Sequence, residues 1–141
     1  MQCKGRETMN NQAESVAQAF VRAINRQDAD ALAELMTAEH RFTDSLGNLV
    51  EGRETMRIGW IRYFCMVPDY AVAIEETFCD GPLVVMLGAA QGTYAPDGQM
   101  KPENRWTTPT AFRARIEDER VAEWGVYCDN EPIRRRMSES H

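Results

Sequence analysis

Residues 13–36 read AESVAQAFVRAINRQDADALAELM, and this stretch decides how the chain begins to fold. From Val16 to Ile24 the apolar residues recur at the i, i+3, i+4 spacing of a helix with one buried face. Asp28 is a suitable N-cap for a second, shorter helix over residues 29–36. The sequence therefore predicts two helices separated by a short connection.

The residues that follow predict a strand, a third helix and then a sheet. His40 to Asp44 have the pattern of a short strand, and Ser45 to Asn48 are rich in turn formers. After Gly52, bulky apolar residues recur at helical spacing until Pro68 ends the helix. Strand-like segments then follow at residues 70–78, 83–94, 105–116 and 121–128, joined by turns.

This order of elements predicts an α+β fold in which three N-terminal helices pack into a curved, mostly antiparallel sheet. A sheet that curls around a long helix leaves a tapered hollow at its open end. The length of 141 residues suits one domain. We expect a flexible lead-in over residues 1–12, the domain over residues 13–137, and a tail over residues 138–141.

Charge and cysteine content indicate which partners, metal sites and cellular locations to expect. The formal net charge of −6 and the low isoelectric point argue against binding to nucleic acid or to an anionic membrane. Four cysteines without a C-x-x-C pair and only two histidines predict free thiols, no metal site and no cofactor. No apolar run approaches 18 residues, and the first 15 residues are polar, so we expect a cytoplasmic protein.

Several motifs resemble those of the nuclear transport factor 2-like superfamily, and within it the SnoaL-like and ketosteroid isomerase-like branch. They are residues 23–32 (AINRQDADAL), Phe42-Thr43-Asp44, Gly52 at the start of the third helix, and residues 124–130 (WGVYCDN). The resemblance covers about residues 13–137 and implies a cone-shaped α+β barrel, also called cystatin-like. Members include isomerases, polyketide cyclases, epoxide hydrolases, dehydratases and proteins that only bind a ligand or partner, so the fold alone does not select a function.

The resemblance also implies roles for individual residues. Asp44 falls at the position of the general base of ketosteroid isomerases, a system that serves as a general example of carboxyl tuning. The two oxyanion-hole donors of those enzymes fall at Phe20 and Thr110, so only the threonine hydroxyl remains as a donor. The charged motifs of the epoxide hydrolases have no counterpart near residues 89–93 or at Val126, which argues against that chemistry.

Each candidate residue has a second, purely structural interpretation. Asp44 is either a general base in an apolar pocket or a cap of the turn at Ser45 to Asn48. His40 and Phe42 lie on the same strand face as Asp44, so both are candidates for contact with a ligand. The alternative for His40 is a partly exposed position at the end of the strand without a functional role. The bulky aromatic residues either line a pocket or form ordinary core: Trp60, Phe64, Trp106, Phe112 and Trp124.

The sequence thus predicts a protein with a pocket for a small apolar or aromatic molecule. It is either a cofactor-free isomerase, cyclase or dehydratase that uses Asp44, or a binding or dimerisation module without catalysis. We also expect a homodimer through the outer face of the sheet, where residues such as Val85 and Ala111 need cover.

Overall fold

The computed structural model describes residues 4–139, with the side chains of residues 10–138. Its helices are α1 (Lys4–Asn25), α2 (Ala29–Glu34), α3 (Arg53–Met66) and α4 (Glu131–Glu139), and a single 3-10 turn spans Pro102–Asn104. Its strands are β1 (Met36–Thr43), β2 (Leu49–Glu51), β3 (Ala71–Asp80), β4 (Leu83–Thr93), β5 (Arg105–Glu117) and β6 (Arg120–Cys128). The predicted α+β class is confirmed.

The six strands form one curved, unclosed sheet in the order β2-β1-β6-β5-β4-β3. The last four strands form the predicted meander, and β1 joins it by pairing in parallel with β6. The register shifts once in each of the pairs β1·β6, β3·β4 and β5·β6. Such bulges bend a strand and increase its twist, which allows the sheet to wrap around α1 and α3.

Two features at the start of the chain differ from the sequence prediction. Helix α1 begins at Lys4, so most of the segment assigned to a flexible lead-in is helical. Helix α2 ends at Glu34, and Met36 already belongs to β1. The predicted N-cap is confirmed, because the Asp28 carboxylate accepts a hydrogen bond from the Ala31 amide at 3.0 Å.

Asn25 attaches the end of α1 to the edge of the sheet. Its Oδ1 accepts a hydrogen bond from the Val72 amide at 2.8 Å, and its Nδ2 donates to the Val72 carbonyl at 2.9 Å. Because β3 is an edge strand, these two backbone groups would otherwise have no partner strand. The side chain of Asn25 therefore pairs with β3 as a neighbouring strand would.

Gly92 allows the end of α3 to lie directly on the sheet. A Cβ atom at this position would stand 2.4 Å from Cγ1 of Val67 and 3.4 Å from the Trp106 ring. Val67, the residue that follows α3, is fully buried by this contact. The close approach places the residue after α3 against Gly92 of β4 and Trp106 of β5, beside the pocket described below.

Candidate ligand pocket

A large open cavity, the inner pocket, lies between α3, the concave face of the sheet and α4. Its volume is about 730 Å³, within the range of typical small-molecule sites. Apolar and aromatic side chains dominate its lining, and the charged lining residues are exposed or half-exposed. The lining comes from β1, β2, α3, β4, β5, β6 and α4, so the site combines elements from both ends of the chain.

The innermost part of the pocket is aromatic. We call Trp60, Tyr63, Tyr70 and Trp106 the inner wall. The ring centroids of Tyr63 and Tyr70 are 5.0 Å apart with the rings nearly perpendicular, and Trp106 lies 6.1 Å from Tyr70. Phe42 from β1 meets Trp60 edge-on at 6.1 Å. This geometry favours a flat, apolar guest, since edge-to-face and offset contacts are available on several sides.

Two hydroxyl groups of the inner wall have no hydrogen-bond partner among the described residues, those of Tyr63 and Tyr70. Burial raises the pKa of both phenols well above the ordinary value of 10, and the nearby Cys128 raises each further. Both groups therefore stay protonated and able to donate a hydrogen bond at physiological pH. The sequence analysis missed these residues because Tyr63 lay on a helix counted as core and Tyr70 at a strand start.

The rim of the pocket is held by a polar contact between two distant segments. The Ser45 hydroxyl donates to Oδ1 of Asn130, and Nδ2 of Asn130 donates to the Ser45 carbonyl at 3.2 Å. The pair ties the turn after β1 to the segment between β6 and α4. Helix α4 then contributes Ile133, Arg134 and Met137 to the lining. The sequence pattern did not predict this helix.

Asp44 lies at the same rim. Its Oδ1 accepts hydrogen bonds from the amides of Leu46 and Asn48, both at 2.9 Å, and Oδ2 accepts one from Nδ2 of Asn48 at 3.1 Å. These are the contacts of a residue that caps the turn, one of the two predicted interpretations. The half-exposed carboxylate also belongs to the pocket lining, so it lies within reach of a bound molecule.

Of the ten residues singled out from the sequence, Phe42, Asp44, Trp60 and Trp106 line the inner pocket. Phe20 is fully buried in the core, 4.7 Å from the Trp124 ring. His40 is also fully buried, which corrects the expectation of a partly exposed strand end. Its Nδ1–H donates to the Val121 carbonyl at 2.7 Å, and burial lowers its pKa below 6.5, so the ring is neutral near pH 7.

The other four residues lie outside the pocket lining. Thr110 is buried, and its hydroxyl donates to the Thr108 carbonyl at 3.0 Å. Phe112 stacks on Trp124 at 5.4 Å in the core. Phe64 packs beside Trp60 at 5.3 Å. The hydroxyl that the resemblance placed at an oxyanion-hole position therefore already has a partner within its own strand.

Trp124 borders a different and much smaller cavity, the outer cleft, of about 130 Å³. This cleft is lined by Arg41, Thr43, Leu49, Arg113, Glu123, Trp124, Gly125 and Tyr127. Glu123 pairs with Arg113 at 2.7 Å, and this hydrogen bond lowers the pKa of the glutamate.

Within residues 4–139, no group of three or more His, Cys, Asp or Glu side chains is placed to hold a metal ion. In the same described part of the chain, no helix is long and apolar enough to cross a membrane.

A curved sheet around packed helices, with a large apolar pocket at its open end, defines the class of cone-shaped α+β pocket proteins. The SnoaL-like domain family matches residues 17–124, which is most of the chain. The chain belongs to this family, as its motifs led us to expect. No curated protein has a sequence similar enough to match it.

Proteins whose solved structures have the same fold are described with different functions. A protein described as a SnoaL-like polyketide cyclase from Shewanella denitrificans superposes with a TM-score of 0.77 at 19% identity, over 90% of this chain and 97% of that one. An LEH-like epoxide hydrolase of M. tuberculosis gives 0.75 at 16% identity, over 92% of each chain. A protein with a ketosteroid isomerase-like fold from Catenulispora acidiphila, in complex with trimethylamine, gives 0.74 at 18% identity, over 87% of this chain and 92% of that one. These likenesses establish the fold.

Proposed function

We propose that this protein binds a flat, mostly apolar small molecule in the inner pocket. The observation that carries the proposal is an open cavity of about 730 Å³ whose innermost surface is formed by four aromatic side chains. Burial of apolar surface is the main source of affinity for such a guest, at roughly 25 cal/mol per Å² before the costs of association.

Gly59 offers a way to close the pocket without disturbing the core. It lines the cavity in the middle of α3, and an added Cβ would meet only Sδ of Met56, at 3.9 Å. A phenylalanine at this position would extend into the cavity, whereas an alanine would leave most of the volume open. Both replacements should improve the helix, because glycine is a poor residue for a helix interior.

The test measures binding of fluorene, a flat neutral hydrocarbon, by equilibrium dialysis against wild type, Gly59→Ala and Gly59→Phe. We expect saturable binding at one site, similar affinity in Gly59→Ala, and at least a tenfold loss in Gly59→Phe. Absence of saturable binding to the wild type, or equal binding to a folded Gly59→Phe protein, would contradict the proposal.

Proton transfer by Asp44 is the second candidate function, and it would make the protein a cofactor-free isomerase, cyclase or dehydratase. The position of the carboxylate at the pocket rim supports it. The three hydrogen bonds that Asp44 accepts weigh against it, because they already assign this carboxylate to capping the turn. If Asp44 is the base, Asp44→Asn should lower kcat by roughly 10²- to 10⁴-fold for any substrate that the wild type converts. Unchanged turnover would leave binding as the function.

A homodimer through the outer face of the sheet belongs to the same proposal. Leu87, Ala111 and Tyr127 are aligned in register across β4, β5 and β6 on this face. Leu87 and Tyr127 are exposed, and Phe78 adds a large exposed ring opposite Val85. An apolar row of this kind is a typical site of association.

A further inference from the structure

The inner wall carries hydrogen-bond donors that the protein itself does not use. The hydroxyls of Tyr63 and Tyr70 have no partner among the described residues, and neither do the buried indole N–H groups of Trp60 and Trp106. All four side chains line the same cavity. The rings are held in place by contacts with one another, so the donors are fixed by packing and not by hydrogen bonds.

Among the described residues, none of the buried side chains in the lining carries a charge. The charged residues of the lining, among them Asp44, Glu54 and Arg62, are exposed or half-exposed and so belong to the rim. The thiol of Cys128, which also lines the cavity, is 3.6 Å from Oδ1 of Asn130 and donates to it. The Asn130 oxygen is also occupied by the Ser45 hydroxyl. The inner wall is therefore neutral and offers mainly donors.

This chemistry restricts what can bind there. A purely apolar guest would strip water from two hydroxyls and leave them unpaired, which costs affinity. At the inner wall an ammonium group would meet no carboxylate and would leave both hydroxyls unpaired, and a carboxylate would lose its hydration without meeting a cation. A neutral oxygen that accepts hydrogen bonds meets neither penalty, because it replaces the water on each hydroxyl.

We propose that Tyr63 and Tyr70 form a donor subsite that binds a neutral carbonyl oxygen on a flat aromatic ligand. The proposal rests on the proposed function, since it assigns the orientation and chemical class of the molecule in the inner pocket. Tyr63 lies on α3 and Tyr70 directly before β3, whereas Phe20 and Thr110 belong to α1 and β5. Since burial keeps both phenols protonated, ligand affinity should be constant between pH 6 and pH 9.

The experiment compares 9-fluorenone with fluorene, which share their ring system and differ in the carbonyl group. Affinities of both are measured by equilibrium dialysis for wild type, Tyr63→Phe, Tyr70→Phe and the control Tyr127→Phe, whose ring is exposed on the outer face. We expect the wild type to bind fluorenone more tightly than fluorene by about tenfold, the value of one or two neutral hydrogen bonds.

Each pocket variant should lose about three- to tenfold in affinity for fluorenone and keep or improve its affinity for fluorene, whereas Tyr127→Phe should match the wild type. If the wild type binds both probes equally and the tyrosine variants show the same ratio of affinities, the donor subsite is refuted and the apolar pocket stands. If neither probe binds, the proposed function fails, and the subsite fails with it. Thermal melting checks that each variant is folded. We expect an unchanged Tm, because the hydroxyl that is removed has no hydrogen-bond partner to lose.

Discussion

Removing the two hydrogen bonds between Asn25 and Val72 should lower the free energy of unfolding more than removing most other polar contacts. Asn25→Ala deletes both hydrogen bonds to Val72 and leaves the amide and carbonyl of an edge strand without a protein partner. At roughly 0.5–1.5 kcal/mol for each bond, plus incomplete rehydration of the freed groups, the free energy of unfolding should fall by about 2–3 kcal/mol. For a domain of this size that corresponds to a decrease in Tm of roughly 8–12 °C.

The assay is urea denaturation followed by tryptophan fluorescence, together with a thermal melt. Asn11→Ala is the matched control, because Asn11 is exposed on α1 and its side chain makes no hydrogen bond to another described residue. That control should change the free energy of unfolding by less than about 0.5 kcal/mol. If Asn25→Ala unfolds within 0.5 kcal/mol of the control, the side chain does not anchor β3 and the reasoning is refuted.

Four further outcomes are expected. Asp44→Ala should lower the free energy of unfolding by about 1–2 kcal/mol in urea denaturation, because it removes the cap of the turn, and no loss would contradict the capping role. Gly59→Ala should raise the free energy of unfolding by about 0.5–1 kcal/mol, and a decrease would mean that the helix tolerates no side chain there. Light scattering at micromolar concentration should give twice the chain mass, while a monomer would exclude the outer-face dimer. Below pH 6.5 the unfolded chain takes up a proton at position 40 before the folded protein does, so stability should fall as the pH falls through this range. In His40→Leu that decrease should be smaller; an equal decrease would assign the acid sensitivity to other groups.

The sequence predicted those parts of the fold that local patterns encode. The apolar spacing in α1 and α3, the cap at Asp28 and the turn-separated strands of the meander depend on residues close in sequence, and each lies near its predicted place. The ends of elements were less accurate: α1 extends back to Lys4, and β2 and α4 were not predicted. Strand β2 has three residues and α4 is strongly charged, so neither carries a long apolar pattern.

The site was harder to predict, because it depends on contacts between distant segments. Helix α4 lies at one side of the pocket because Asn130 bonds to Ser45, 85 residues earlier in the chain, and Arg136 bonds to the Arg105 carbonyl. His40 is buried because β1 pairs in parallel with β6, which brings the Val121 carbonyl to its ring. The rings of Tyr63 and Tyr70 come into contact because the chain turns back toward the sheet after α3 ends. Periodicity identifies a buried face but does not distinguish core from pocket lining, so Phe112 and Trp60 looked equivalent.

The three tryptophans allow the most direct test of where a ligand binds. Trp60 and Trp106 line the inner pocket, whereas Trp124 borders the outer cleft. Their indole N–H signals can be assigned in a ¹H–¹⁵N spectrum with single Trp→Phe variants and followed during titration with fluorene. Binding in the inner pocket predicts saturable shifts of the Trp60 and Trp106 signals with little change at Trp124. A shift confined to Trp124, or no saturable shift at any of the three, would contradict the account.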